Sequence, residues 1–543
     1  MRNAGSILSA ALLLTVACAP REHADLLLRG GLVYDGTGAE PSKWDIGIAG
    51  DRIVFVGDST EASLEADTVM DLDGLMVTPG FIDMHSHAEL AEDYGRSGAA
   101  FLHQGITTVV LGVDGAGTPR VDEKLALLSQ GGIGVNALTY VGHGTIRREV
   151  LGMENRAPTD AELQAMRELV RQGMNEGAFG LSTGLFYTPG FFASTEEVIE
   201  LARVVAEYGG IYDTHDRDLG ASYQGIGFVG SIREGIEIGE SSGARVIFSH
   251  FNPQGAHNYG RAPEGAKLID EARARGVDVA AAQHVYTATQ SSLSAYTIPR
   301  WASDGGEEAM LLRLRDPESF ARIASEMAEM LAIRGGAEKI RIVDPRPELN
   351  GRTLTEVATA WGLTIPETVR RILEGGSAAV MNLDLYDMEN TRFLATRDWM
   401  MTCTDGRDPR PDQVVSHPRV FGAFTKKLRL YVLDEPVITM PFAIRSMSGL
   451  AAEFLRLEDR GRIRVGAVAD IAVFQSERIR DRATYEEPRR FSEGTVHVLV
   501  NGRFAIRDGE LTGALLGVPI YRSRKADSDP AQPAKALASA LSE

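Results

Sequence analysis

Two histidines stand one residue apart at the end of an apolar run: His85 and His87, in "PGFIDMHSHAEL", residues 79–90. On an extended segment an (i, i+2) pair aims both imidazoles to the same side, where they can chelate one ion. Imidazole suits zinc, and nearby carboxylates can complete such a site. His215 and His250 end later apolar runs and are placed to bind the same ion or a second one nearby. Asp114 and Asp405 also follow apolar runs. At Asp405 a carboxylate could hold metal and accept a proton from water. Any one of these histidines alone is more simply a packed or surface residue. Four histidines and two carboxylates at successive strand ends point to a metal centre.

These groups need a frame that gathers them. Short apolar segments alternate with amphipathic helical ones such as "TEEVIELARVVAEYG", the pattern of repeated βα units and a parallel sheet. Eight segments read as strands: "GFIDMHSH", "GITTVVLGVDG", "GVNALTYVGHG", "AFGLSTGLF", "GIYDTHD", "RVIFSHF", "VDVAAAQHVYT" and "WMMTCTD". The expected fold class is α/β, a (β/α)8 TIM-like barrel over residues 81–430. Its site lies at the C-terminal strand ends. His143 and His284 sit at such ends too, whereas His23, His103, His257 and His497 do not. Residues 289–395 read as a mostly helical insertion between strands seven and eight, placed to cover the mouth. Period-two alternation and Gly/Asp turns mark residues 23–80, and the same style returns within 431–523. The two segments are expected to form one β-sandwich, followed by a polar tail, 524–543.

The chain has 543 residues, 56 basic against 75 acidic, for a net charge of −19. That balance argues against nucleic acid as a partner, since phosphate binding needs a basic patch. The N-terminus, "MRNAGSILSAALLLTVACAP", has Arg2 and then an apolar run from Ile7 to Ala17. The run is too short to span a bilayer and reads as an export signal covering residues 1–22. "LTVAC" resembles a bacterial lipoprotein cleavage site, which would make Cys18 the lipidated first residue of an exported protein, periplasmic or held at a membrane. The simpler reading is an ordinary cleaved signal with Cys18 incidental. The only other cysteine is Cys403.

The ordered set "VTPGFIDMHSH", "QGITTVVLG", "VGHGTIR", "GAFGLSTGLFYTPG", "GIYDTHDRD", "TDG", "HPRVFGAF" and "GRIRVGAVADIAVF" resembles the amidohydrolase superfamily. Within it the likeness is to the N-acyl-D-amino-acid deacylases, or D-aminoacylases, over residues 25–523. The resemblance implies a zinc hydrolase, with one or two ions, that cleaves the amide between an acyl group and an amino acid, D-enantiomers favoured. It implies that His85 and His87 hold the more exposed metal position and His215 and His250 the other. Asp405 becomes the catalytic aspartate, taking a proton from water and passing it to the leaving nitrogen. A dipeptidase or cyclic-amide hydrolase shares such a metal site, and a non-catalytic scaffold need not keep it.

Three departures from the family pattern stand out. Asp114, in "VDG", replaces the family's cysteine ligand; it is read as binding or bridging metal, against the plainer role of capping a turn. Asn252, in "SHFN", replaces a lysine expected to grip the substrate carboxylate, leaving Arg217 as a substitute. "HVYTA" introduces His284, read as packing in the barrel. Tyr187, Tyr286, Arg419 and His143 match family positions and are expected to contact substrate, His143 either so or by supporting the site from behind, Arg419 either so or by bracing the strand-eight loop. Phe191 and Phe192 would line an acyl pocket or merely pack their loop.

Overall fold

The computed structural model describes residues 23–62, 64–413 and 416–522. Nine strands from the two ends of the chain form one connected sheet. The N-terminal share is His23–Val33, Ser42–Ala49, Arg52–Gly57, Glu65–Asp71 and Met76–Pro79. The C-terminal share is Ile471–Phe474, Thr495–Val500, Arg503–Arg507 and Glu510–Leu511. The two ends join where Met76–Pro79 runs antiparallel to Ile471–Phe474, Met76 facing Phe474 and Pro79 facing Ile471. Alternation along the strands puts Leu28, Ile46, Ile48, Val77, Ile471, Val473 and Leu499 into one apolar core. The expected union of the two ends is present, as a single connected sheet by strand pairing.

Between them the chain alternates strand and helix. Phe81–Asp83, Ile106–Leu111 and Asn136–Thr139 form a three-stranded parallel sheet. Val141–Gly142, Gly180–Gly184, Ile211–His215, Arg245–Phe248, Val279–Gln283 and Met400–Thr402 form a six-stranded one, also parallel. Each of the eight expected segments contributes strand, in chain order. Every residue of Gly180–Gly184, Ile211–His215 and Val279–Gln283 is buried, as expected of parallel strands covered on both faces. The helix Thr195–Glu207 shows why these connections fold. Ser194 caps it by accepting from Glu197 N, and Val198, Leu201, Ala202, Val204 and Val205 form its buried stripe. The segment just past Phe81–Asp83 is bonded to the end of Met400–Thr402 and the residues after it, Met84 N to Thr402 O at 3.4 Å and Asp405 N to His85 O at 2.9 Å.

Between Val279–Gln283 and Met400–Thr402 the chain builds a separate layer. It is more than helical: Thr289–Ser292, Ile340–Val343 and Ala379–Asn382 pair antiparallel. Helices Leu354–Trp361 and Ile365–Glu374 both start with a reciprocal Thr/Glu capping box. Leu314, Ile323, Met327, Ile342, Val357 and Ile372 give this layer its own core.

Candidate metal centre and pocket

Apart from His215, which ends the strand Ile211–His215, the metal-binding candidates lie just past the regular strands. His85 and His87 are two and four residues beyond Asp83, the last residue of the first strand, so other bonds hold them. Asp83 is fully buried; its Oδ1 accepts from His85 N at 3.3 Å and from Thr404 N at 2.9 Å, and its Oδ2 accepts from Thr404 Oγ1 at 2.5 Å. His87 N donates to Gly406 O at 2.9 Å. One buried carboxyl thus ties the His85/His87 segment to the Asp405 segment. Burial pushes that carboxyl up to about 7 against the bonds from Thr404.

Asp114, His250 and Asp405 have φ of 55°, 33° and 48°. Three non-glycine residues in the left-handed region at one place mark a backbone held by its surroundings, as is common at functional sites.

The side chains converge. His85 Nε2 is 3.3 Å from Asp114 Oδ1 and 3.7 Å from Asp405 Oδ1. His87 Nε2 is 3.3 Å from Asp114 Oδ2 and 3.4 Å from Asp405 Oδ1. One ligand atom from each of these four residues falls within 4.8 Å of all the others. His250 joins through Asp114 Oδ1 at 3.7 Å. His215 stands beside His250, ring centroids 4.4 Å apart, outside the four-residue cluster. Asp114 therefore faces three imidazoles, the arrangement of a ligand position.

Charge follows this geometry. Burial works to raise Asp114, but His85, His250 and His87 together hold it well below the usual carboxylate range. Asp405 is likewise driven down, Arg419 and His250 outweighing burial. Burial would lower His250, yet Asp405 and Asp114 bring it to about 9. His215 falls to about 3 through burial and the charge on His250. His85 Nδ1 and Nε2, Asp114 Oδ1 and His250 Nδ1 are buried without a hydrogen-bond partner among the described residues. Such atoms are costly when left unmatched. Two ionised carboxylates among imidazoles are the donor set that a zinc ion satisfies, so these residues fit the metal.

The cluster opens into a cavity of about 680 Å³ lined by His87, Asp114, His215, His250, Asp405 and Arg419 on the strand side. Tyr187 is in the wall, its hydroxyl accepting from Ser291 Oγ at 3.3 Å. Arg419 ion-pairs with Asp405 Oδ2. His284 packs behind them, its Nδ1 accepting from Tyr286 N at 3.3 Å and its Nε2 3.9 Å from Asp405 Oδ2.

Four residues expected at the substrate lie outside the cavity lining. Arg217 is taken up by Glu234, at 2.7 Å, and by the carbonyls of Phe191 and Ala193 at 2.9 and 3.0 Å. It braces the aromatic loop, and Phe191 and Phe192 lie outside the cavity lining with their rings 6.3 Å apart, edge to face. Asn252 turns away and donates to Thr391 Oγ1 at 2.7 Å. Tyr286 is buried against His417, rings 5.2 Å apart. His143 is buried with Nε2 2.9 Å from Glu197; it anchors the helix His143–Leu151, whose Gly144, Thr145 and Arg148 do line the cavity. Cys18 lies outside the described residues.

Other lining groups went unpredicted: Gln254, Ser291, Tyr296, Tyr386, Arg148 and Asp408. Ser291, Tyr296 and Tyr386 come from the inserted layer, and no local pattern marks them. Asp83 was legible in principle, since Asp83, His85 and His87 share a period of two.

The chain is 33% identical to a D-aminoacylase of Alcaligenes xylosoxydans xylosoxydans over 522 residues, 92% of this chain and 98% of the relative. A solved D-aminoacylase, described with a binuclear metal centre, superposes with a TM-score of 0.77 at 30% identity, covering 92% of this chain and all of that one. The N-acyl-D-glutamate deacylase of Bordetella bronchiseptica, solved with zinc and a phosphonate mimic of the tetrahedral intermediate, gives 0.78 at 29% identity with coverage of 92% and 100%. The sequence model of the amidohydrolase family matches residues 68–506. That span runs from the terminal sheet through the His85–His87 pair and Asp405 and back to the sheet, and the chain belongs to the amidohydrolase family.

Proposed function

We propose that this chain is a zinc-dependent amidohydrolase that removes the acyl group from N-acyl amino acids, D-enantiomers favoured. The observation that carries the reading is the meeting of His85, His87, Asp114 and Asp405 within 4.8 Å, the last three lining the cavity. Relatives of nearly the same length are a D-aminoacylase and N-acyl-D-amino-acid deacylases.

His85, His87, His215 and His250 with Asp114 would hold zinc, as one ion or two. The chemistry zinc supplies when bound is polarisation of a carbonyl and acidification of water. Asp405 is the proton carrier. Arg419 occupies its Oδ2, which leaves Oδ1 facing the imidazoles to take a proton and return it to the departing nitrogen. Without that proton the amine is a poor leaving group. Arg148 lines the cavity and favours a substrate that carries a carboxylate, whereas Arg407 and Arg419 are paired with Glu89 and Asp405. Tyr187 borders the same space and would orient it.

The architecture proposed with this function is a closed barrel over 81–430, with 289–395 inserted. A β-sandwich is built from 23–80 and from the strands that begin at Ile471 within 431–523, since Met440–Met447 and Gly449–Leu455 are helices. Eight strand-bearing segments in chain order, their nine strands parallel within two sheets, and the bonds from Met84 to Thr402 and from Asp405 to His85, support it. The proposal includes export with Cys18 lipidated, resting on the sequence of residues 1–20. A Cys18→Ser variant that stays in the membrane fraction sinks that part.

The activity is tested by amine release from N-acetyl-D-methionine and N-acetyl-L-methionine by the zinc-loaded protein. Faster release from the D-substrate supports the proposal. Release from neither, with turnover of dipeptides or cyclic amides instead, overturns it.

A further inference from the structure

We propose that Asp213 is a positioning residue that locks three segments bearing the candidate zinc ligands into one arrangement; the inference rests on the zinc-centre reading. Asp213 and His215 are two apart on the strand Ile211–His215 and so face the same side. The Asp213 carboxylate is fully buried, and both its oxygens are engaged. Oδ2 accepts from Ser182 Oγ at 2.7 Å, and Oδ1 accepts from Ser249 Oγ at 2.6 Å.

Each serine leads to a candidate ligand. Ser182 Oγ accepts from Gly115 N at 3.1 Å, the peptide next to Asp114. Ser249 immediately precedes His250, and its own N donates to Thr214 O at 3.0 Å. Asp114, Gly115 and His250 all have positive φ, 55°, 73° and 33°. Backbone in that region persists only when its surroundings define it.

The direction of the bonds matters. A carboxylate can only accept, so both hydroxyls must donate to Asp213. With its proton so committed, Ser182 presents a lone pair to Gly115 N. An asparagine offers one acceptor and one donor, so one of the two arms must reverse or break. Groups that orient metal ligands from behind typically cost 10–100-fold in metal affinity when removed.

The test is zinc titration of chelator-stripped protein against a chromophoric competitor, for wild type and for Asp213→Asn, Asp213→Ala, Ser182→Ala and Ser249→Ala. The thermal midpoint of each zinc-free variant is recorded alongside. The expected result is a zinc Kd weakened about 10–100-fold in Asp213→Ala and about tenfold in Ser182→Ala and Asp213→Asn. Zinc-free midpoints of the serine variants should stay within a few degrees of wild type. If Asp213→Ala does not fold, Ser182→Ala decides. Folded variants that bind zinc within twofold of wild type overturn the proposal, as does a loss of affinity seen only where the zinc-free midpoint collapses. A wild type that takes up no zinc removes the zinc-centre reading itself, and this inference with it.

Discussion

Asp405→Asn keeps the shape of the side chain and removes its capacity to carry a proton. The consequences follow from the two oxygens. Oδ2 is paired with Arg419, so the asparagine carbonyl takes that place and its NH2 turns toward His85 and His87, where Oδ1 had stood 3.7 and 3.4 Å away. A proton acceptor becomes a donor at the reacting position. Proton transfer by a placed side chain contributes typically 10²–10⁴-fold, or about 3–5 kcal/mol of barrier. The variant should therefore lose about that factor in kcat on an N-acyl-D-amino acid, while KM shifts only a few-fold. His85, His87 and Asp114 remain, so zinc per chain by atomic emission should stay close to wild type. Amine release and metal content must be measured on the same preparation. A kcat within tenfold of wild type at unchanged zinc content would refute the proton-carrying role.

Three further outcomes are expected. Asp114→Ala should lower the zinc bound per chain, because three imidazoles face that carboxylate; unchanged stoichiometry would return Asp114 to a turn-capping role. Lys427 is buried in the helix Arg419–Leu428 with Nζ donating to Thr402 Oγ1 and Ser446 Oγ, both at 2.8 Å, and burial lowers it to about 7. The unfolded chain keeps that proton to about pH 10.4. Between those values the unfolded state binds more protons, so stability should rise with pH by up to about 1.4 kcal/mol per unit. Lys427→Met should flatten that slope in denaturant melts from pH 7 to 10, and an unaltered slope would count against it. Trp399 is buried against Phe251, with Nε1 donating to Asp270 at 2.7 Å. Trp399→Ala should cost about 3–5 kcal/mol in the same melts, and a loss below 1 kcal/mol would mean the site collapses to fill the space.

Strand ends were the most legible part of the site. Parallel strands joined by helices bring their C-terminal ends to one face whatever the detail of the sheet. A histidine or aspartate at the end of an apolar run is thereby placed near the others, and His85, His87, Asp114, His250 and Asp405 do meet. The inserted layer was legible as an interruption. Its three-stranded sheet was not, because four-residue strands such as Ala379–Asn382 carry too little period to tell from loop.

By itself the sequence determined which segments outside the inserted layer become strands and helices, which histidines and carboxylates stand at or just past the strand ends, and that the two ends of the chain belong together. Those are consequences of local period and order, which act over a few residues or through chain connectivity. Only the tertiary structure decided where the remaining polar side chains point. Arg217 is claimed by Glu234, Asn252 by Thr391 and His143 by Glu197, partners 17, 139 and 54 residues away. A buried polar group turns to whatever partner satisfies it. That partner is supplied by packing between distant elements.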